Sequence, residues 1–225
     1  MTVGAQEALR ACDVVVGYKS YVKTISRLAN GKEIFEYGMR KEVERCKKAI
    51  ELAEDGKLVA LISSGDPGVY GMAGLVLELA SDNGSIDIEI LPGVSAVNAA
   101  ASALGAPLMH DFAVISLSDL LTPWEKIEAR LRAAALADFV AALYNPRSKK
   151  RSWQIRTARD IFMQYRDPKT PVGLYAKSNG EQLYHISDLA SFLDLTIDMS
   201  TTIIIGNSQT YVLDGRMITP RGYRI

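Results

Sequence analysis

Charge of one sign is what this 225-residue sequence most plainly lacks: 26 lysines and arginines stand against 26 aspartates and glutamates. No global field therefore draws the chain to nucleic acid or to an anionic membrane. Cysteine and histidine are scarce, two of each. Cys12 and Cys46 stand far apart, the second on a helical apolar stripe, so no metal-ligand spacing appears, and neither a metal nor an iron–sulfur cluster within one chain is expected. A reducing cytosol is the simplest compartment. No apolar run approaches the roughly 18 residues of a membrane span, and the amino terminus shows no apolar signal-peptide region. Repeats and low-complexity segments are missing as well. Hydrophobic content of 48% suits an ordinary globular core.

One stretch organises the rest. Residues 58–71 read Leu-Val-Ala-Leu-Ile-Ser-Ser-Gly-Asp-Pro-Gly-Val-Tyr-Gly. The apolar run 58–62 suits a strand buried on both faces, residues 63–68 break every regular pattern, and Leu75, Val76, Leu77 and Leu79 resume a helical stretch. Strand, tight loop and helix is the arrangement in which open α/β sheets hold ligands, at the carboxyl ends of strands. Gly65, Gly68 and Gly71 let backbone come close to a ligand, and Pro67 stiffens the turn. The loop matches neither Gly-x-x-x-x-Gly-Lys-Ser/Thr nor Gly-x-Gly-x-x-Gly, and Asp66 puts a negative charge where a phosphate would sit. A neutral or cationic ligand suits it better. A purely structural turn with Asp66 capping the next helix fits the same residues.

Along the chain, a helix is expected at 5–12, a strand at 14–16 and a helix at 39–54. In the last, Val43, Cys46, Ile50 and Ala53 share a stripe, with Glu44/Lys48 and Lys47/Glu51 pairs on the wet side. A helix at 72–81 ends at Asn83-Gly84, a strand at 86–90 follows, and a small-residue helix spans 97–104. Alternating β and α elements with short links predict a parallel sheet with helices on both faces. Gly105-Ala106-Pro107 marks a boundary between Leu104 and Asp111, giving two α/β domains, 1–107 and 108–225. The second reopens with a strand at 113–117. Thr122-Pro123-Trp124-Glu125 then starts a helix with a capping box and proline at its first position. A buried strand at 139–143 breaks at Tyr144-Asn145-Pro146, and the basic cluster Arg147, Lys149, Lys150 and Arg151 leads into a helix reaching Tyr165. Strands at 172–175 and 202–205 and a hairpin at 211–218, turning at Asp214-Gly215, make the second sheet mixed.

Taken together, Ser64-Gly-Asp-Pro-Gly-Val-Tyr-Gly71, Leu91-Pro-Gly-Val-Ser-Ala96 and Gly206-Asn-Ser-Gln-Thr210 resemble the tetrapyrrole methylase family. Gly105-Ala-Pro-Leu-Met-His-Asp-Phe112, Ser116-Leu-Ser-Asp-Leu-Leu-Thr-Pro-Trp-Glu125, Leu143-Tyr-Asn-Pro-Arg-Ser148 and Thr219-Pro-Arg-Gly-Tyr223 narrow the resemblance. They point to the branch acting at carbon 17 of precorrin-3B or cobalt-precorrin-3 in cobalamin synthesis. The resemblance covers nearly the whole chain from Thr2. It implies two α/β domains of that type, usually a homodimer, binding S-adenosylmethionine in the cleft between them. It also implies methylation of carbon 17 with contraction of the macrocycle. By motif, Gly65, Asp66, Val69 and Tyr70 line the cofactor site with Ser95 and Ala96 beside them. Tyr144, Asn145, Ala176, Lys177 and Thr202 complete it. Members of the family open with an apolar strand and a glycine-rich loop ahead of the helix that here begins near Gly4. The resemblance therefore also implies a gap in the first sheet and about 15–20 further residues upstream.

A sulfonium cofactor agrees with an acidic glycine loop, and an in-line methyl transfer requires no nucleophilic side chain. The substrate carries many carboxylates, for which Arg147 is the best partner of its basic cluster; a solvated helix start is the plainer reading of that cluster. His110, at the expected domain junction, suits general acid/base work in ring contraction, and equally a hinge histidine bonded to Asp111 or backbone. His185 sits in an alternating strand pattern and reads as structural. Competing readings are a family member acting at another carbon, a tetrapyrrole-binding module without turnover, and a dinucleotide-dependent oxidoreductase. The missing Gly-x-Gly-x-x-Gly argues against the last.

Overall fold

Val14, Val15 and Val16 are completely buried, and the first part of the chain assembles around them. The structure, a computed structural model, describes residues 1–81, 86–148, 151–178 and 181–224. The chain divides into two compact units, Met1–Ser95 and Ala96–Ile225.

In the first unit β1 (Val14–Tyr18) lies between β2 (Glu33–Tyr37) and β3 (Val59–Leu61), and both pairings are parallel. Strand alternation sends the valines to two cores. Val15 joins Leu9 of α1 (Val3–Ala11), Ile25 and Ala29, whereas Val14 and Val16 meet Ala49 and Leu52 of α3 (Glu42–Glu54). A third cluster joins Cys46 and Ile50 of α3 to Val76 and Ala80 of α4 (Ala73–Ala80). The Thr2 hydroxyl accepts the Ala5 N–H at 3.3 Å and so caps α1.

Several sequence expectations change here. The pattern did not announce α2 (Lys19–Thr24) or β2, because neither carries a long apolar stripe. On α3, Val43 is exposed, and the buried face runs through Cys46, Ala49 and Ile50. The ion pairs are Lys41–Glu44, Glu42–Arg45 and Lys48–Glu51, one residue closer than expected. Helical neighbours at three and four residues compete for the same partner, and here the nearer one wins. β3 is half-buried rather than buried on both faces, since β1 is its only strand partner among the described residues. Residues 86–90 form no strand. Ile86 and Ile88 pack toward the α3–α4 cluster in the expected alternation, but a ladder also needs a neighbouring edge, and none is paired to them among the described residues. The helix stop expected at Asn83-Gly84 lies outside the described residues.

The second unit is built on a five-stranded mixed sheet, in the order β5-β6-β9-β7-β8. The strands are β5 (Phe112–Ser116), β6 (Val140–Tyr144), β7 (Pro171–Ser178), β8 (Glu181–Asp188) and β9 (Thr202–Ile205). The central strands feed both faces. Ala141, Leu143, Ile203 and Ile205 join one core, with α6 (Trp124–Leu136) and α7 (Gln154–Met163). Val140, Ala142 and Ile204 join the other, with α5 (Ala96–Leu104). Pro123, not Thr122, is the N-cap of α6, and no side chain caps it, so the expected capping box does not form. The short strand β4 (Gly105–Ala106) pairs with β11 (Arg216–Ile218), which forms a hairpin with β10 (Tyr211–Leu213) around Asp214-Gly215. Residues 105–106, expected as a break, are thus the edge of a small sheet.

Candidate functional site

Two loops of the first unit, 64–71 and 91–95, are fastened to each other. The Asp66 carboxylate does this: Oδ1 accepts the Gly68 N–H at 2.8 Å and Oδ2 accepts the Gly93 N–H at 2.9 Å. Those two donors, Gly93 foremost, hold the carboxyl below its ordinary range, so it is ionised at neutral pH. The loops also approach so closely that a Cβ on Gly93 would lie 1.9 Å from the Gly65 carbonyl oxygen. Gly65 and Tyr70 both adopt positive φ, +72° and +55°, which turns the chain back on itself within six residues. Val69 closes the turn through its N–H to the Asp66 carbonyl, and the Ser63 hydroxyl accepts the Met72 N–H just before α4. Tyr70 is exposed, whereas Ser95 is buried at the end of the second loop, next to Ala96 at the start of α5.

In the second unit the sheet itself gathers the candidates. β5, β6 and β7 run in one direction and β9 in the other, so the carboxyl ends of the first three lie beside the amino end of β9. Tyr144 ends β6 and Asn145 follows it, Ala176 and Lys177 lie near the end of β7, and Thr202 begins β9 opposite Tyr175. All five therefore share one edge. The Tyr144 hydroxyl accepts the Val97 N–H in the first turn of α5 at 2.7 Å. Asn145 has a φ of +52°, and its amide donates to the Ser116 hydroxyl at the end of β5. His110 is placed elsewhere: it precedes β5, at the opposite end of that strand from Ser116. Its Nδ1 accepts the N–H of Asp111, whose carboxylate lies 3.6 Å away.

The described residues of the basic cluster differ in their surroundings. Arg147 is exposed, as a substrate anchor needs to be, and Lys149 and Lys150 lie outside the described residues. Arg151 is buried and already engaged, contrary to the expectation that it faces solvent or substrate. It donates to the carbonyls of Leu117 and Asn145 and lies 4.0 Å from Asp119, which also accepts from Gln154. Long-range fastenings such as Asp66 to Gly93 and Arg151 to Leu117 carry no local pattern, so the sequence reading missed Gly93, Asp119, Arg151 and Gln154 as supports of these loops. The Pro-Gly pair at 92–93 was the single available hint. Both cysteines are buried free thiols, and burial pushes the Cys46 thiol up to about 11, which leaves it unreactive.

Residues 1–179 match the family of Tetrapyrrole (Corrin/Porphyrin) Methylases. A Priestia megaterium protein named cobalt-factor III methyltransferase is 49% identical over 231 residues, covering all of this chain and 43% of that protein. A Salmonella typhimurium protein named probable cobalt-factor III C(17)-methyltransferase is 50% identical over 228 residues, covering all of this chain and 94% of that one. The chain thus spans less than half of the first relative and nearly all of the second. The crystal structure of the methyltransferase CobJ superposes with a TM-score of 0.88 at 38% identity, over 98% of this chain and 93% of that chain. Fastened glycine loop, gathered sheet edge and these likenesses agree, and the chain belongs to the tetrapyrrole methylase family.

Proposed function

We propose that the protein transfers a methyl group from S-adenosylmethionine to carbon 17 of a tetrapyrrole of the cobalt-factor III type, with contraction of the macrocycle, in the making of cobalamin. The observation that carries this reading is the 50% identity, over the full chain, to the Salmonella protein named for that activity. The chemistry of the residues fits the cofactor. An ionised carboxylate in a glycine loop suits an ammonium or sulfonium. The hydroxyls of Tyr144 and Thr202, the Asn145 amide and nearby backbone supply neutral polar groups for the rest. Bound there, the cofactor supplies an electrophilic methyl group. By motif, Gly65, Asp66, Val69, Tyr70 and Ser95 are the first unit's candidates to hold it, and Ala96, Tyr144, Asn145, Ala176, Lys177 and Thr202 are the second unit's. Positioning of this kind supplies about 7–11 kcal/mol of a barrier when the near-attack geometry is good. Arg147 pairs with a substrate carboxylate.

The protein works as a homodimer in this reading, in a reducing cytosol where both thiols stay free. The second copy covers β8, the outer strand of the five-stranded sheet, on which Leu183 and Tyr184 are more than half exposed. A groove of about 540 Å³ between β8 and the β10–β11 hairpin, lined by Lys169, Tyr184, His185, Asp188 and Val212, continues that face. A long edge strand with exposed apolar residues invites another chain. The test of the activity is release of S-adenosylhomocysteine from S-adenosylmethionine with cobalt-factor III, with its metal-free counterpart in parallel. Release with the cobalt-bearing compound supports the reading; tight binding of NAD or ATP and none of S-adenosylmethionine overturns it.

A further inference from the structure

Leu121 is 98% exposed and Leu120 is 68% exposed, side by side on the loop that leaves β5. Such exposure is ordinary on a frayed segment, but this loop is tied down at both ends. Its first residue, Leu117, is completely buried; its N–H donates to the Tyr144 carbonyl at 2.9 Å, and its own carbonyl accepts from Arg151 at 3.3 Å. The Ser118 N–H donates to the Ser116 hydroxyl, and the Asp119 carboxylate accepts from Gln154, which is 1% exposed. At the far end Trp124 stacks edge-on against Trp153, ring centroids 4.7 Å apart, and Trp153 remains 48% exposed. Two leucines are therefore presented to water by a loop braced at both ends, and a tryptophan face is presented by Trp153, the residue ahead of α7 that packs on Trp124. Apolar surface held out in this way marks a binding face.

The position says what that face meets. The loop leaves the same sheet edge that carries Tyr144 and Asn145, and Arg151 ties it to the neighbouring loop that bears exposed Arg147. Broad apolar contact with a cation at its margin complements a flat macrocycle with a rim of carboxylates. We infer that Leu120, Leu121 and Trp153 form a preformed platform for one face of the tetrapyrrole, with Arg147 taking a carboxylate at its rim. The inference rests on the proposed function and adds to it the residues that grip the acceptor rather than the cofactor.

The test uses the full chain with Leu120→Ser and Leu121→Ser combined, and separately Leu121→Asp. Both side chains face water, so melting temperatures stay within about 2 °C of the parent. The chain has two tryptophans, both at this platform, and their fluorescence is titrated with cobalt-factor III. Losing each leucine contact weakens macrocycle binding by about tenfold and raises KM to match, while S-adenosylmethionine affinity stays within twofold. Parent protein that binds the macrocycle while both variants bind it equally well overturns the platform and leaves the function standing. The same holds if the variants sediment as smaller species with unchanged KM, which assigns the leucines to a second copy. Parent protein that neither binds nor methylates the macrocycle overturns the functional reading itself, and the platform with it.

Discussion

Asp66 and Gly93, 27 residues apart, are joined by a 2.9 Å hydrogen bond from the Gly93 N–H to Oδ2, and the same two loops meet where Gly93 has no side chain to obstruct Gly65. The carboxylate is thus a clasp as well as a charge. Gly93→Ala places a methyl group against backbone and destabilises by about 1–3 kcal/mol, as overpacking does, with a larger loss in cofactor affinity. Asp66→Asn lowers the melting temperature at neutral pH. The folded carboxyl titrates below its unfolded counterpart, so its stabilisation is present above about pH 4 and fades as pH falls through the depressed value. The difference in melting temperature between parent and Asp66→Asn therefore shrinks below about pH 4. A difference that is constant down to pH 2.5 contradicts the clasp.

Tyr144→Phe removes the acceptor of the Val97 N–H in the first turn of α5. An unsatisfied, partly buried donor costs about 1–3 kcal/mol, read as a shift in denaturant midpoint at unchanged slope. Calorimetry is expected to show weaker S-adenosylmethionine binding as well. Unaltered stability would mean that water replaces the hydroxyl without loss.

His110 lies at the opposite end of β5 from Ser116, Tyr144 and Asn145, and Asp111 occupies its Nδ1. His110→Ala is expected to keep kcat within about twofold and stability within about 0.5 kcal/mol. Loss of turnover with cofactor binding intact restores it as an acid or base in ring contraction.

For the proposed homodimer, Leu183→Lys with Tyr184→Lys places two charges on the exposed outer strand. Sedimentation then shows a shift from dimer to monomer, with helix and strand content unchanged by circular dichroism. A parent protein that is already monomeric at micromolar concentration removes this part of the reading.

Much of the fold was legible because its elements are locally marked. The four residues of β9 fall where the apolar run placed them, and the hairpin turns at Asp214-Gly215 as expected. The parallel first sheet and the mixed second one follow from the same alternation of elements. What stayed hidden depends on pairing across the chain. Residues 86–90 carry a strand's alternation without a ladder, and β4 pairs with β11 from more than a hundred residues away. The unit division after Ser95 is of the same kind, because α5 packs on β7 and β9, which come much later in the chain. In the candidate site, motif residues were readable one by one. The braces that hold them, Gly93, Arg151, Asp119 and Gln154, became visible only as contacts.

Methyl transfer to one carbon of one macrocycle is decided by position-resolved product analysis. The purified chain is incubated with cobalt-factor III and S-adenosylmethionine carrying a carbon-13 methyl group, and the product is examined by carbon-13 NMR. One new labelled methyl group is expected, on carbon 17, formed in step with S-adenosylhomocysteine. Label on another ring carbon, or none from a protein that binds both compounds, contradicts it.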